Sequence, residues 1–219
     1  MKLSSHSIFL MVLCVISLTS CKNKSERLLE EADKYYYGKE VVEDRAKAAE
    51  LYKQAAELGN AEAQFNVGVC YMYSIGVEKN YEEAVKWWKE AAEQGHSGAL
   101  YNIGALYDFG NGVEQDYKEA AKWYEKAAMR GHAKAQCVLG VMHDRGEGVE
   151  QNHEKAAEWY RKAAEQGERD AQYNLADCYY RGEGVEQNYE EAAKWWKMAA
   201  AQGDDDAIQA LEKLGITDY

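Results

Sequence analysis

The sequence predicts an all-α array of about five helix–turn–helix repeats, each 36 residues long. Three observations carry this. Glycine returns at Gly59, Gly95, Gly131, Gly167 and Gly203. Ala63, Ala99, Ala135, Ala171 and Ala207 keep the same step, as do the pairs Ala91-Ala92, Ala127-Ala128, Ala163-Ala164 and Ala199-Ala200. So do Trp87, Trp123, Trp159 and Trp195. A fixed period of this length marks a stacked array, in which a unit buries its apolar face only against its neighbours.

Residues 1–20 stand outside the period. Lys2 precedes an apolar run of 11 residues from Ile8 to Leu18. A membrane-spanning helix needs roughly 20, so the run has the length of a signal-peptide core. Leu18-Thr19-Ser20-Cys21 resembles a bacterial lipobox, with leucine three places before the cysteine and a small residue directly before it. That resemblance implies cleavage before Cys21, a lipid on its thiol and residence in the bacterial cell envelope. Lys22, in place of aspartate, favours the outer membrane. An ordinary secretory signal with a chance cysteine is the competing reading. The chain accordingly divides into a lipoprotein signal peptide (1–20), a lipid-anchored tether (21–25) and a repeat region (26–219).

On the glycine ruler the units are 24–59 (degenerate), 60–95, 96–131, 132–167 and 168–203, closed by a C-terminal capping helix within 204–219. Ser25 reads as the N-cap of the opening helix. In the clearest copy the first helix runs from Ala61 to Tyr73 and the second from Tyr81 to Gln94. Asn80, Asp116, Asn152 and Asn188 stand before the second helices as N-caps, and Glu83, Glu119 and Glu191 follow where they could close a capping box. Gly68, Gly104, Gly140 and Ala176 are expected to let each first helix approach Ala84, Ala120, Ala156 and Ala192. Trp87, Trp123, Trp159 and Trp195 then supply the large apolar bodies, followed by Trp88, Tyr124, Tyr160 and Trp196. All six tryptophans fall at these two positions, a core spacing rather than a cofactor box. The turns Gly110-Asn111-Gly112, Gly146-Glu147-Gly148 and Gly182-Glu183-Gly184 lack the lysine–serine and the preceding strand of a phosphate loop, so they read as tight turns.

The run Ala171-x-x-x-Leu175-Ala176-x-x-Tyr179-x-x-Gly182-x-Gly184-Val185, then Tyr189-x-x-Ala192-x-x-Trp195-Trp196-x-x-Ala199-Ala200-x-x-Gly203, resembles the Sel-one-like repeat, a relative of the tetratricopeptide repeat. The resemblance is strong over residues 60–203. It is weaker over 24–59, where Tyr35, Gly38, Val41, Ala48, Tyr52, Ala55 and Gly59 keep part of the frame. It implies a right-handed α/α superhelical solenoid that serves as an adaptor for protein complexes and is not an enzyme.

In related solenoids the first helices line a concave wall. Positions 62, 65, 69, 72 and 73 share one helix side, opposite Ala63, Val67 and Tyr71. Carried through the units, that side holds Phe65, Val69, Met72 and Tyr73, then Tyr101, Ala105, Asp108 and Phe109. Next come Cys137, Val141, Asp144 and Arg145, then Tyr173, Asp177, Tyr180 and Arg181. Its aromatic residues suit an extended peptide or a helix from a protein partner. Two readings stay open: the rings grip a guest, or they stiffen contacts between units.

Other functions are disfavoured. The formal charge is −12, and removal of residues 1–20 takes away Lys2 and no acid, leaving 25 basic and 38 acidic residues. No basic footprint for nucleic acid exists, and membrane attachment would rest on the lipid. Cys70, Cys137 and Cys178 read as unpaired small apolar residues. Some disulfide-rich relatives have been described as β-lactam binders or weak hydrolases, but they carry a cysteine pair in each unit. Here those pairs are missing, and Ser25, Ser74 and Ser97 are not followed three places later by lysine. No catalytic residue, cofactor, metal or small-molecule substrate is assigned. His143 and His153 replace tyrosines of the preceding unit on either side of one turn, near Asp144 and Glu147. Repeat drift is preferred over a metal or pH-sensitive site there.

Overall fold

The computed structural model describes residues 24–217. Eleven helices and no strand occur among the described residues. They are α1 (24–37), α2 (Arg45–Glu57), α3 (Ala61–Tyr73), α4 (Tyr81–Glu93), α5 (Ser97–Phe109), α6 (Tyr117–Ala128), α7 (Ala133–Arg145), α8 (His153–Glu165), α9 (Arg169–Arg181), α10 (Tyr189–Ala200) and α11 (Asp205–Lys213). The helices form two compact units that divide between Ala99 and Leu100.

In the first unit, Leu51, Tyr52, Val67 and Trp87 build the core on a floor of alanines that includes Ala48, Ala55 and Ala63. The second unit has two such clusters, around Tyr160 and Leu175 and around Trp196 and Leu211. Alanine at these positions keeps helices strong while letting axes approach.

Close helix pairing depends on glycine, but not opposite alanine as the sequence suggested. A β-carbon at Gly68 would land in the indole of Trp88, and one at Gly140 would lie 2.6 Å from Cδ1 and Cε1 of Tyr160. The glycines therefore seat the second ring of each aromatic pair. Those rings are the deepest, with Trp88 and Tyr124 each 1% exposed. Trp123, Trp159 and Trp195 are only half-buried, and Lys126 and Lys162 lie over the first two. Trp123 and Trp159 sit at the rim because the seats above Gly104 and Gly140 are already filled by Tyr124 and Tyr160.

Each second helix stops in the same way. Gly95 has φ 86°, its N–H donates to the Ala92 carbonyl (2.9 Å), and His96 N–H donates to that of Ala91 (3.0 Å). The alanine pairs thus supply both buried apolar surface and the acceptors of the helix stop. Asn80, Asp116, Asn152 and Asn188 cap the second helices as expected. The reciprocal half of the capping box is not made. Asp116 N–H donates instead to the Tyr107 carbonyl (2.9 Å), and Asn152 N–H to that of His143 (2.8 Å), which closes the turn between the paired helices. Glu119 is left to bond Lys122 and the indole of Trp123. Ser25 is also not an N-cap. Helix α1 already runs at Lys24, and Ser25 is buried within it.

The second turn glycine has a purpose beyond its positive φ. A β-carbon at Gly184 would strike the carbonyl of His153, at the start of the preceding second helix. Buried glutamines make a further lock. Gln136 Nε2 donates to the Ala128 carbonyl (3.0 Å) while its Oε1 accepts from Gln166 (2.7 Å), and Gln172 repeats this with Ala164 and Gln202. Each clamp ties the end of one repeat to the first helix of the next.

Candidate partner-binding face

The predicted stripe separates into residues of three kinds. Phe65 and Tyr101 are half-buried and stacked: Phe65 lies on His96 with ring centroids 4.6 Å apart, and Tyr101 on His132 at 4.7 Å. Each histidine also accepts a helix-start N–H through Nδ1, from Ala99 and Ala135 respectively. These two aromatics brace helix starts. Val69 and Met72 are half-buried in the first unit.

Cys137, placed on the stripe by its spacing, is a core residue at 7% exposure. It packs with Tyr160 and Leu175, because the helix side facing Asn174 and its neighbours is covered there. Burial pushes the thiols up to about 11 at Cys70 and about 12 at Cys137 and Cys178, and all three are unpaired. Such thiols are poor nucleophiles.

Tyr73 and Phe109 face solvent. Tyr73 ends α3 at 66% exposure, and Phe109 ends α5 at 69%. The two share one repeat position, which Arg145 and Arg181 hold in the later units.

In the second unit, Tyr173, Asp177, Tyr180 and Arg181 converge on one cavity of about 330 Å³. Its far wall is Trp196 and the capping helix α11 with Leu214. The Tyr180 ring meets Trp196 at 5.3 Å and Tyr189 at 5.4 Å. Arg181 pairs with Asp177 at 2.9 Å. Burial raises the Asp177 carboxyl above the ordinary carboxylate range, with Arg181 working against it. The cavity offers an aromatic wall, one cation and one acid, a combination suited to a short peptide with an apolar side chain.

Sequence reasoning missed Trp196 and Leu214 as cavity walls. It gave Trp196 only a core role and 204–219 only a capping role. Trp196 differs from its sister Trp88. Trp88 donates its indole N–H to the Phe65 carbonyl (3.1 Å), whereas the Trp196 nitrogen is buried without a partner among the described residues. Ala176 stands where Gly68 stands and packs in the same core cluster as Trp196. Cys21 lies outside the described residues.

The Sel1 repeat model matches residues 33–60, 61–96, 97–132, 133–168 and 169–204. The chain belongs to the Sel1 repeat family. The first match falls in the stretch whose pattern is most degenerate and begins nine residues after the unit start read from the glycine ruler, whereas the later unit boundaries agree with that ruler to one residue. Among solved structures, the chain is similar to a protective antigen of uropathogenic Escherichia coli that displays an SLR fold. The two are 37% identical with a TM-score of 0.81, over 89% of this chain and 43% of that one. A Sel1 repeat protein from Oxalobacter formigenes is 34% identical with a TM-score of 0.82, over 88% and 78%. An uncharacterized protein of Neisseria meningitidis serogroup B is 38% identical over 56 residues, 26% of this chain and 12% of its own length. The chain thus spans less than half the length of the antigen and a small part of the Neisseria protein. The fold class is the all-α repeat of the SLR solenoids. Proteins built of this repeat generally serve as protein-interaction scaffolds.

Proposed function

We propose that this Sel1 repeat protein is a lipid-anchored, extracytoplasmic scaffold that holds a protein or peptide partner on its first-helix face. The observation that carries the reading is the convergence of Tyr173, Asp177, Tyr180 and Arg181 on one cavity. Phe109 in the same unit, and Tyr73 in the first unit, each carry an exposed aromatic ring at the end of their own first helix. Aromatic and arginine side chains supply much of the binding energy at protein interfaces, since they bury large areas at modest entropic cost. The leader pattern ending in Cys21 supports membrane attachment through a lipid, and Lys22 supports the outer membrane.

The test uses a photo-crosslinking residue at 180 in living bacteria, with Lys126 on α6 as the control position. Position 180 should capture one defined protein that position 126 does not. Arg181→Glu should weaken its retention at least tenfold, with circular dichroism unchanged. Equal capture at both positions, or retention indifferent to Arg181→Glu, refutes the reading. Tyr101 is a poor choice for this test, because its ring braces His132. Anchoring is tested separately with Cys21→Ser, which should move the protein out of the membrane fraction and abolish metabolic lipid labelling. An unchanged distribution refutes that part.

A further inference from the structure

Close to Asp177 of that cavity, three side chains from two successive repeats meet. Asp144 lies in the last turn of α7, His153 opens α8, and Glu183 sits in the turn after α9. His153 Nδ1 is 2.8 Å from Asp144 Oδ1, and one ligand atom from each of the three residues lies within 4.8 Å of the others. We infer that Asp144, His153 and Glu183 form a binding site for a first-row divalent transition cation, with Zn²⁺ as its representative.

The chemistry fits this class. One imidazole nitrogen with two carboxylate oxygens suits zinc or its neighbours better than the all-oxygen cations calcium and magnesium. Bonds of roughly 2.0–2.2 Å to such an ion set adjacent ligand atoms about 3–3.5 Å apart. One pair already stands near that spacing, and Glu183 is an exposed, flexible side chain that can close the rest. His153 also lines an open cleft with Gly182 and Gly184, which leaves space for water on the ion.

The preceding repeat supplies an internal comparison. There the same three positions hold Asp108, Tyr117 and Glu147. Asp108 is raised above the ordinary carboxylate range by burial, with the nearby Glu147 adding to the shift. The repeat geometry therefore brings two acids together in both copies. Only the later copy adds a nitrogen ligand, where the sister copies have Tyr117 and Tyr189.

Local charge points the same way. Arg181 is engaged by Asp177, and Arg145 approaches Glu147 at 3.9 Å. Among the described residues, no ion pair engages Glu183, and the partner of Asp144 is the His153 ring itself. The sequence drew attention to His143 together with His153. In the structure His143 Nδ1 faces the Glu150 carbonyl at 3.3 Å, and Glu183 completes the cluster in its place.

The experiment titrates the full chain, free of any histidine tag, with Zn²⁺ by calorimetry and follows the imidazole nitrogens by NMR. One saturable site per chain is expected, with the largest shift at His153 Nδ1. His153→Tyr and Glu183→Gln should each weaken binding at least tenfold, and His143→Tyr should leave it unchanged. Tyrosine opens the helix at the sister positions, so His153→Tyr should fold, which circular dichroism checks; Glu183→Gln alters only an exposed side chain. No saturable binding, binding undiminished in His153→Tyr and Glu183→Gln, or equal loss in His143→Tyr overturns the site.

Discussion

Replacing Gly140 with alanine adds one methyl group to the most crowded contact of its repeat. The new β-carbon would lie 2.6 Å from two ring carbons of Tyr160, a residue 3% exposed. Unstrained carbon contacts need about 3.5–4.0 Å, so ring and helix must separate by roughly 1 Å. Overpacking of this kind costs about 1–3 kcal/mol. Alanine returns about 1 kcal/mol through its better helix propensity. The net expectation is a loss of up to about 2 kcal/mol. With a urea slope of about 2 kcal/mol/M, the midpoint should fall by up to about 1 M. Tyrosine and tryptophan fluorescence during urea unfolding reads it, and circular dichroism checks that unfolding of the array stays cooperative. The reverse change, Ala176→Gly, tests the same seat. It should give Trp196 room to donate its indole N–H, offsetting part of the roughly 1 kcal/mol that glycine costs a helix. A Gly140→Ala protein that unfolds at higher urea than the parent would refute the argument.

The buried glutamine clamp makes a second expectation. Gln136→Ala leaves the Ala128 carbonyl and the Gln166 side chain without their partner and should cost about 1–3 kcal/mol, measured by the same urea titration. Asp108 is raised by burial despite the hydrogen bond from Tyr124, so its folded carboxyl binds a proton more readily than the unfolded one. Its contribution favours the fold below the unfolded value of about 3.9 and is lost as pH rises through the raised folded value. Asp108→Asn should therefore unfold at higher urea than the parent at pH 7, with the gain shrinking toward pH 4; a gain that does not vary with pH refutes the assignment. The Cys70, Cys137 and Cys178 thiols should resist a thiol reagent at pH 8 and react fully in denaturant, as read by site-resolved mass spectrometry; fast labelling of the native protein would contradict their burial.

The positions of the helices were legible because glycine, asparagine and alanine mark them through local backbone chemistry. Asn80, Asp116, Asn152 and Asn188 cap because a short polar side chain reaches its own helix start. What the capping glutamates do was not legible. The N-cap N–H groups they would accept from are claimed by carbonyls in another helix, such as that of Tyr107. The candidate site divides along the same line. The helix side carrying Tyr173, Asp177, Tyr180 and Arg181 follows from helical periodicity. Their enclosure by Trp196 and α11 does not, since how closely the cap packs on the last pair has no local signal.

By itself the sequence determined a helical repeat, its period and its helix stops, since each depends on interactions within a few residues. Tertiary structure alone decided which aromatic ring sits over glycine, which stripe residues brace helix starts, and that Glu183 meets Asp144 and His153 across successive repeats. Those outcomes depend on how closely neighbouring helices approach, a distance fixed by the packing of many side chains at once.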